Sequence, residues 1–387
     1  MVRGRVAEPR QGLINMQHRQ YAATDIELSA LGFGAMRLPD DDDFAVECLV
    51  HAFNSGVNFV DTAPGYRGGA DREAGSSERL VGRALKAVPR EQIYLSTKNA
   101  TGAPSAEAWR EGLELSLQNL DSGYVDFYQL VHGMRWETYT EAFRPNALEE
   151  ALKARDEGLI RHFSFSSHDT PENIIKLLEE GIFESCIIQY NLLDRANEPV
   201  IDYAREHNIS ILVMGPVGGG RLGMRSEKLE GLVSGVRNVP ELALRFVLSN
   251  PGDTSALSGM NTIEMIDENT ATASIEEPLS DEERAAIETV LEENRALSEL
   301  YCTGCDYCMP CPQSVGISRI FAAMNMHRVW GLTEVAKGRY ARLGPESRSG
   351  LLQADACVEC GSCETLCPQH IPIIEQLKES HEALKSE

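Results

Sequence analysis

The chain lacks the long apolar segments that mark membrane-spanning and secreted proteins. None of its 387 residues belongs to a run that approaches the roughly 18 uninterrupted apolar residues of a membrane-spanning helix. The first residues, MVRGRVAEPRQGLIN, include basic side chains but no apolar segment typical of a secretory signal. We therefore expect a cytoplasmic protein without a membrane span, in which residues 1–15 form a flexible N-terminal arm.

Positive charge is also scarce. The sequence contains 36 Lys and Arg residues against 59 Asp and Glu residues, which gives a formal net charge of −23. Nucleic acids and anionic membrane surfaces attract basic proteins, so neither is expected as the main partner. The rest of the composition, 42% hydrophobic and 25% charged, is ordinary for a globular protein long enough to form more than one domain.

Short apolar runs alternate with amphipathic segments over most of the chain. Each run is followed by a segment whose apolar residues recur every three or four positions, as in a helix packed on a sheet. Eight such β/α units predict an α/β fold, a (β/α)8 TIM barrel over residues 16–280. A doubly wound open sheet is the alternative, but it favours a Gly-rich fingerprint after the first strand, and none is present. The strand candidates are residues 31–36, 57–60, 93–97, 125–131, 162–166, 186–190, 210–214 and 254–257.

The sequence predicts a change of domain after the barrel. A helix is expected to begin at Ser280, which can form a capping box with Glu283. The composition then becomes Cys-rich, so residues 281–387 are predicted to form a linker helix and a small, mostly helical domain. Within this domain, residues 318–343 are predicted to form two helices.

Ten cysteines are present, and eight of them are clustered. Cys48 and Cys186 stand alone in apolar surroundings and are expected to be buried core thiols. Clustered cysteines in a cytoplasmic protein indicate metal binding rather than disulfides. The first run contains Cys302, Cys305, Cys308 and Cys311 before Pro312, and the second contains Cys357, Cys360, Cys363 and Cys367 before Pro368.

The spacing within the runs favours two [4Fe–4S] clusters in a ferredoxin-like module. The second run matches the bacterial ferredoxin pattern, in which the fourth cysteine binds the other cluster. Zinc is the alternative, but a zinc site usually uses two separated CxxC pairs. The last gap of the first run is two residues rather than three, so two self-contained clusters remain possible beside our preferred exchange. The exchanged sets would be Cys302, Cys305, Cys308 and Cys367 on one cluster, and Cys357, Cys360, Cys363 and Cys311 on the other.

Polar side chains follow three neighbouring strands of the predicted barrel. The segments NFVDTAPGY, LSTKN and YQLVHG place Asp61, Tyr66, Lys98 and His132 after these strands. Taken singly, such residues are most simply a turn cap, a solvated lysine and a core histidine. In a TIM barrel, however, the carboxyl ends of the strands meet at one mouth, where the chemistry of such enzymes occurs. We therefore expect the four side chains to form one site.

With these motifs, the chain resembles the aldo/keto reductase superfamily over residues 16–280. The resemblance rests on LGFGAMRLP, NFVDTAPGY, SSERLVGRAL, STKN, DFYQLVH, IRHFSFSSHD, QYNLLDR, GPVGGGRL and GMNTIEMIDEN. The tail, with CTGCDYCMPCP and CVECGSCETLCPQHI, resembles the subgroup that carries a C-terminal 4Fe–4S dicluster module. The resemblance implies an NAD(P)H-dependent oxidoreductase that reduces an aldehyde or ketone to an alcohol, or catalyses the reverse reaction.

The resemblance also implies a role for each of the four polar residues. Tyr66 would protonate the carbonyl oxygen as hydride reaches the carbon. Lys98 would lower the pKa of Tyr66, and Asp61 would hold Lys98 in place. His132 would orient the substrate carbonyl.

The cofactor implied by the resemblance is NADPH or NADH. Met214 stands where relatives commonly place an aromatic ring beneath the nicotinamide, and the basic pair that grips a 2′-phosphate is replaced near Gly259 and Met265, so the choice of cofactor stays open. The glutamine that binds the carboxamide corresponds to Gln189 or, in another alignment, falls at Ile187. The matching positions are Ser166, Ser167 and Gln189 for the carboxamide, Met214 for the ring, Gly218, Gly219, Gly220 and Arg221 for the pyrophosphate, and Glu268 and Asn269 for the adenosine.

No flavin signature links two-electron hydride transfer to one-electron clusters. The clusters are therefore expected to be structural or to transfer electrons, with a small carbonyl or alcohol as substrate and a possible redox partner protein. The alternative function is an electron-transfer protein that uses the barrel as a docking scaffold. A non-catalytic regulatory barrel of the same superfamily is a third hypothesis, against which the cysteine module argues.

Overall fold

The structure is a computed structural model that describes most of the chain. The described residues are 16–67, 73–218, 222, 226, 229–299, 308–328, 330–367 and 371–385, with only the backbone described at 294–299. The predicted arm over residues 1–15 lies outside these ranges.

Eight parallel strands close into a barrel, which confirms the predicted (β/α)8 fold and excludes the open sheet. Around the barrel the order is β10, β3, β4, β5, β6, β7, β8 and β9, so that the last strand pairs with the first. These strands are almost entirely buried because helices cover the outside of the parallel sheet while side chains fill the inside. The strands are β1 (His18–Gln20), β2 (Glu27–Ser29), β3 (Leu31–Gly34), β4 (Phe59–Asp61), β5 (Tyr94–Lys98), β6 (Val125–Gln129), β7 (Ile160–Ser167), β8 (Ser185–Gln189), β9 (Ser210–Met214) and β10 (Asp253–Ser258).

A helix follows each barrel strand at the position that the sequence predicted. Local signals set the helix ends: Ser105 caps α3 by accepting from the Ala108 amide at 3.2 Å, and Asp121 ends the helix in a left-handed conformation at φ 48°. The sequence did not predict α4, the π-helical turn Tyr139–Phe143 or α5, which lie between β6 and α6. The helices are α1 (Asp42–Asn54), α2 (Ser76–Leu85), α3 (Ala106–Leu120), α4 (Trp136–Thr138), α5 (Arg144–Asn146), α6 (Leu148–Asp156), α7 (Pro171–Glu179), α8 (Glu198–Glu206), α9 (Val239–Leu248) and α10 (Ile263–Ala273).

An N-terminal hairpin of β1 and β2 closes one end of the barrel. Tyr21, between these strands, is fully buried, and its ring centroid lies 4.5 Å from that of Phe127. Its hydroxyl donates to Ser185 at 2.9 Å, and the Ala22 amide donates to Ser210 at 2.7 Å. Ser185 and Ser210 begin β8 and β9, so the hairpin covers the amino-terminal end of the barrel and leaves the other end as the mouth.

The chain divides into two compact units. One comprises Met1–Pro216 and Ala243–Pro278, and the other comprises Val217–Leu242 and Leu279–Glu387. The division near residue 278 lies close to the predicted boundary after residue 280. The grouping of 217–242 with the C-terminal unit was not expected from the sequence.

The second unit is mostly helical. The capping box forms as predicted, with the Ser280 amide donating to Glu283 at 2.8 Å and the Glu283 amide donating to Ser280 Oγ at 3.2 Å. The two helices expected between the cysteine runs are α12 and α13, both of which pack against α15. The helices of this unit are α11 (Asp281–Glu299), α12 (Ile317–Arg328), α13 (Thr333–Ala341), α14 (Ser362–Leu366) and α15 (Ile373–Leu384).

None of the helices in the described part of the chain has the combination of length and apolar character needed to span a membrane.

Candidate active site

The carboxyl ends of β4 and β5 bring Asp61 and Lys98 together. Each is the last residue of its strand, and the two strands pair in parallel. The Lys98 amino group donates to both carboxylate oxygens of Asp61, at 2.5 and 2.6 Å. Asp61 is only 3% exposed and Lys98 only 1% exposed. This ion pair is therefore largely shielded from water.

Two further side chains fix the Asp61 carboxylate, and sequence reasoning missed both. Ser96 Oγ donates to Asp61 Oδ1 at 2.9 Å, and Gln129 Nε2 donates to the same oxygen at 2.8 Å. A buried ion pair is stable only where such hydrogen bonds complete it. Ser96 lies two residues before Lys98 and so shares its face of β5, which is the pattern that could have identified it.

Tyr66 and His132 complete the group at the mouth. Tyr66 lies on the loop after β4, with its ring centroid 5.9 Å from that of His132 at an interplanar angle of 80°. Lys98 Nζ is 5.2 Å from the centre of the Tyr66 ring. The loop after β6 is held to the end of β5 because the His132 amide donates to Asn99 O at 2.8 Å. The structure therefore gathers all four residues that the sequence singled out.

The pKa of Tyr66 is raised, which is opposite to the direction expected from the sequence. Burial is the main cause, and the negative charge and hydrogen bond of Asp61 add to it. Lys98 does not reverse the effect because its charge is matched by Asp61. The phenol therefore retains its proton through neutral pH.

The pKa values of Lys98 and His132 are lowered, in contrast to that of Tyr66. Burial lowers the pKa of Lys98, while the Asp61 carboxylate opposes this change. Partial burial of the ring, and then the Lys98 charge, lower the pKa of His132. His132 is consequently neutral at pH 7 and can donate one ring N–H at the exposed rim of the mouth.

Ser166 and Ser167 end β7 beside the His132 loop. Ser166 Oγ accepts from the Gly133 amide at 3.1 Å. Ser167 Oγ donates to Met134 O at 2.7 Å and accepts from the Asp169 amide at 3.1 Å. Both hydroxyls thus hold the loops at the mouth, and Ser167 is the more fully engaged.

Gln189 and Met214 are the last residues of β8 and β9, and both are partly exposed. A Cβ on Gly215 would stand 2.6 Å from Gln189 Nε2, so Gly215, with φ 65°, leaves space for the Gln189 side chain. Ile187 is 2% exposed and packs in the barrel core with Phe59 and Phe127. The position of Gln189 at the mouth favours it over Ile187 as a cofactor contact.

The predicted adenosine contacts lie on α10. Asn269 Nδ2 donates to Ser258 Oγ at 3.2 Å, at the end of β10, while Glu268 is exposed. Gly218 adopts a left-handed conformation at φ 60°. Gly219, Gly220 and Arg221 lie outside the described residues.

Among the described residues, five of the clustered cysteines line one cavity in the second unit. Its volume is about 150 Å³, and most of its remaining lining is apolar, including Val315, Ile317 and Leu377. Thiols set among apolar residues fit an iron–sulfur cluster, whose properties depend on such surroundings. Across the described residues, no three Cys, His, Asp or Glu side chains meet closely enough to hold a single ion. The cysteines of the cavity are Cys308, Cys311, Cys357, Cys360 and Cys363.

Cysteines of both runs meet at this cavity, and Cys308, which exchange would place on the other cluster, is among them. Cys311 of the first run and Cys357 of the second both line the cavity with Cys363. Cys367 does not line the cavity. Cys302 and Cys305 lie outside the described residues. By contrast, Cys48 and Cys186 are fully buried in the first unit, as predicted for core thiols.

Known families match both parts of the chain. A family model described as the aldo/keto reductase family matches residues 30–292, and one described as a 4Fe-4S dicluster domain matches residues 301–371. The first match spans more than half of the chain and includes the four residues at the mouth.

Individual relatives resemble the barrel. Uncharacterized oxidoreductase YqkF of Bacillus subtilis is 28% identical over 308 residues, which cover 71% of this chain and 96% of the relative. The NADH-specific methylglyoxal reductase of Escherichia coli is 28% identical over 310 residues, which cover 65% of this chain and 92% of the relative. Among solved structures, the holo form of aldo-keto reductase AKR11C1 from Bacillus halodurans is 29% identical with a TM-score of 0.61, and the match covers 71% of this chain and 96% of that one.

The sequence match and the fold agree on the same region of the chain. The chain belongs to the aldo/keto reductase family, as an oxidoreductase acting on carbonyl or alcohol groups, and carries a 4Fe–4S dicluster domain toward its C-terminus.

Proposed function

We propose that this protein is an NAD(P)H-dependent reductase that converts an aldehyde or ketone to an alcohol, or catalyses the reverse reaction. The observation that carries the proposal is the meeting of Asp61, Tyr66, Lys98 and His132 at one barrel mouth. When bound there, the nicotinamide supplies the hydride that reaches the carbonyl carbon.

Tyr66 donates the proton in this reaction. As the carbonyl oxygen gains negative charge, it becomes more basic than a phenolate and takes the proton from the Tyr66 hydroxyl. The raised pKa of Tyr66 keeps that proton in place until the charge develops. His132, neutral because its pKa is lowered, orients the carbonyl oxygen with a ring N–H.

Lys98 and Asp61 set the electrostatics beneath the phenol. Asp61 holds the Lys98 amino group through two hydrogen bonds, which fixes a cation 5.2 Å from the Tyr66 ring. A fixed cation stabilises the negative charge that passes to the phenol as it loses its proton.

We propose that NADPH or NADH binds across the mouth. Ser166, Ser167 and Gln189 would contact the carboxamide, and Met214 would lie against the ring. Gly218, Gly219, Gly220 and Arg221 would hold the pyrophosphate, and Glu268 and Asn269 would hold the adenosine. The relative named as an NADH-specific methylglyoxal reductase makes NADH and small dicarbonyls the first combination to assay.

We also propose two [4Fe–4S] clusters in the C-terminal domain. Cys311, Cys357, Cys360 and Cys363 would hold one cluster, and Cys302, Cys305, Cys308 and Cys367 would hold the other. Cys311 meets Cys357, Cys360 and Cys363 at one cavity, which supports placing Cys311 with the second run, and Cys308 lines the same cavity.

Electron transfer is the second candidate function. Val358 and Leu366 line the cysteine cavity and are 61% and 57% exposed, so one edge of that cavity is near solvent. On this hypothesis a redox partner exchanges electrons with the clusters and the barrel binds no nicotinamide. Titration with NADH and NADPH, followed by nicotinamide fluorescence, separates the two functions, because only the reductase shows saturable binding.

Replacement of Tyr66 tests the reductase directly. We expect Tyr66→Phe to lower kcat for carbonyl reduction by a factor on the order of 10²–10⁴, because the proton donor is lost. The assay is anaerobic oxidation of NADH and NADPH with a panel of aldehydes, ketones and dicarbonyls. Cluster absorbance should be unchanged.

Tyr203→Phe is the matched control. It removes one hydroxyl from α8, away from the mouth, and should leave kcat unchanged. If Tyr66→Phe keeps near-wild-type kcat while both proteins are folded, the assigned role of Tyr66 is wrong.

A further inference from the structure

Arg67, the residue after Tyr66, has an unusual backbone. Its φ is 59°, in the left-handed region where a residue with a Cβ is destabilised relative to glycine. A side chain that persists in this conformation must be held by its surroundings. The contacts of the Arg67 side chain are therefore expected to stabilise the loop that carries Tyr66.

The Arg67 guanidinium is buried and bonded to the turn before α1. Only 2% of its side chain is exposed. One terminal nitrogen donates to Asp42 Oδ1 at 2.7 Å, and the other donates to Asp40 O at 2.8 Å and to Pro39 O. Nε is buried and has no hydrogen-bond partner among the described residues. Within the described part of the chain, the guanidinium is thus held through its terminal nitrogens, which face residues 39–42.

These bonds tie the loop after β4 to the loop after β3. Upstream of Arg67, the Tyr66 amide donates to Ala63 O at 3.1 Å, and Pro64 O accepts from the Gly75 amide at 2.7 Å. Tyr66 lies between this backbone turn and the Arg67 anchor. The direction in which its phenol projects toward Lys98 and His132 therefore depends on both.

We propose that Arg67 is a positioning residue for Tyr66. Its buried hydrogen bonds hold the backbone after Tyr66 in a left-handed conformation and so aim the phenol at the reacting oxygen. The inference rests on the proposed function, in which Tyr66 donates the proton. Because a displacement of about 1 Å can slow catalysis roughly a hundredfold, loss of this anchor is expected to reduce kcat more than substrate or nicotinamide binding.

Arg67→Gly separates the anchor from the backbone conformation. Glycine accepts φ 59° readily, so the loop can keep its path while the guanidinium bonds are lost. We expect kcat to fall about ten- to a hundredfold, with KM for the nicotinamide within about twofold of wild type. Millimolar guanidinium should restore part of the lost kcat, and Arg67→Lys, which keeps a charged donor, should be intermediate.

Arg83→Ala is the matched control. Arg83 joins α2 to Asp43 at 2.5 Å, beside the same turn, but its side chain is 47% exposed and that of Asp43 is 91% exposed. Such an exposed pair contributes little, so the variant should stay within about twofold of wild type in kcat and KM. Circular dichroism and thermal unfolding of each full-length, cluster-loaded variant show whether it is folded.

A folded Arg67→Gly variant with kcat within twofold of wild type would overturn the proposal. A lower kcat that is accompanied by lower thermal stability, and that guanidinium does not restore, would also overturn it. That result would mean that Arg67 has a structural role alone. If Arg67→Gly does not fold, Arg67→Lys decides by the same kcat criterion. Tyr66→Phe separates failure of the proposed function from failure of the positioning role. Full activity of Tyr66→Phe refutes the proposed function. An inactive Tyr66→Phe together with a fully active Arg67→Gly refutes only the positioning role.

Discussion

Two buried carboxylates differ in the hydrogen bonds that they accept. Asp61 has hydrogen bonds from Lys98, Ser96 and Gln129. Asp253, at the start of β10, is bonded through Oδ2 to Arg19 at 3.1 Å, but its buried Oδ1 has no hydrogen-bond partner among the described residues. Burial raises the pKa of Asp253 to about 7.

This raised pKa of Asp253 predicts how stability depends on pH. An unfolded Asp titrates near about 3.9, so between about pH 4 and about pH 7 the folded chain binds this proton more tightly than the unfolded chain. The free energy of unfolding contributed by Asp253 therefore falls as pH rises through this range. Asp253→Asn removes the titration, and its stability relative to wild type should increase between pH 5 and pH 8.

Urea denaturation followed by circular dichroism at several pH values measures this difference. Asp202→Asn, at a site where the carboxylate side chain is 69% exposed, is the control and should track wild type. Parallel curves for wild type and Asp253→Asn would contradict the assignment.

Residue patterns predicted the main site members but not all of their partners. The four main residues were predictable because they lie at or just after the ends of neighbouring strands, which meet at one mouth in a TIM barrel. They are Asp61, Tyr66, Lys98 and His132. Gln129 was missed because its hydrogen bond to Asp61 can be recognised only when the positions of the barrel strands are known. The pKa direction of Tyr66 was also missed, because the pairing of Lys98 with Asp61 depends on distances that the sequence does not give.

Helices and strands were predictable where their hydrophobic pattern extended over enough residues to show a period. The eight barrel strands and the helices between them follow from apolar runs and three- to four-residue repeats. The hairpin of β1 and β2 was missed because each strand has three residues, HRQ and ELS, which are too short and too polar to show a period. The turns between β6 and α6 were missed for the same reason.

The cysteine runs give an element-scale prediction. Two [4Fe–4S] clusters correspond to about eight iron atoms per chain. If Cys311 and Cys357 share a cluster, Cys311→Ala and Cys357→Ala should each lose iron, and the double variant should lose no more than either single variant. Cys311→Ala with Cys308→Ala should lose more, because those residues would serve different clusters.

Iron and sulfide analysis after anaerobic reconstitution, with electron paramagnetic resonance of the reduced protein, measures these losses. Cys48→Ala is the control, since Cys48 is buried in the first unit and belongs to neither run. Additive loss in the Cys311/Cys357 pair would favour two self-contained clusters over exchange.

At the scale of the whole molecule, the chain combines a barrel suited to hydride chemistry with a domain suited to one-electron chemistry. Their presence in one chain could be predicted from the sequence, because the barrel motifs and the cysteine runs are local. The assignment of 217–242 to the C-terminal unit could not, since it depends on contacts between residues far apart in the chain.

The central claim is that hydride passes directly from the nicotinamide to the carbonyl carbon in the barrel. The most direct measurement is anaerobic reduction of a carbonyl substrate with NADH or NADPH deuterated in turn on each face of C4, followed by mass spectrometry of the alcohol. Direct transfer predicts one deuterium on the carbinol carbon from one of the two labelled faces, and none after Tyr66→Phe removes turnover. An alcohol whose new hydrogen comes only from solvent, whichever face is labelled, would contradict the account and point to electrons delivered through the clusters.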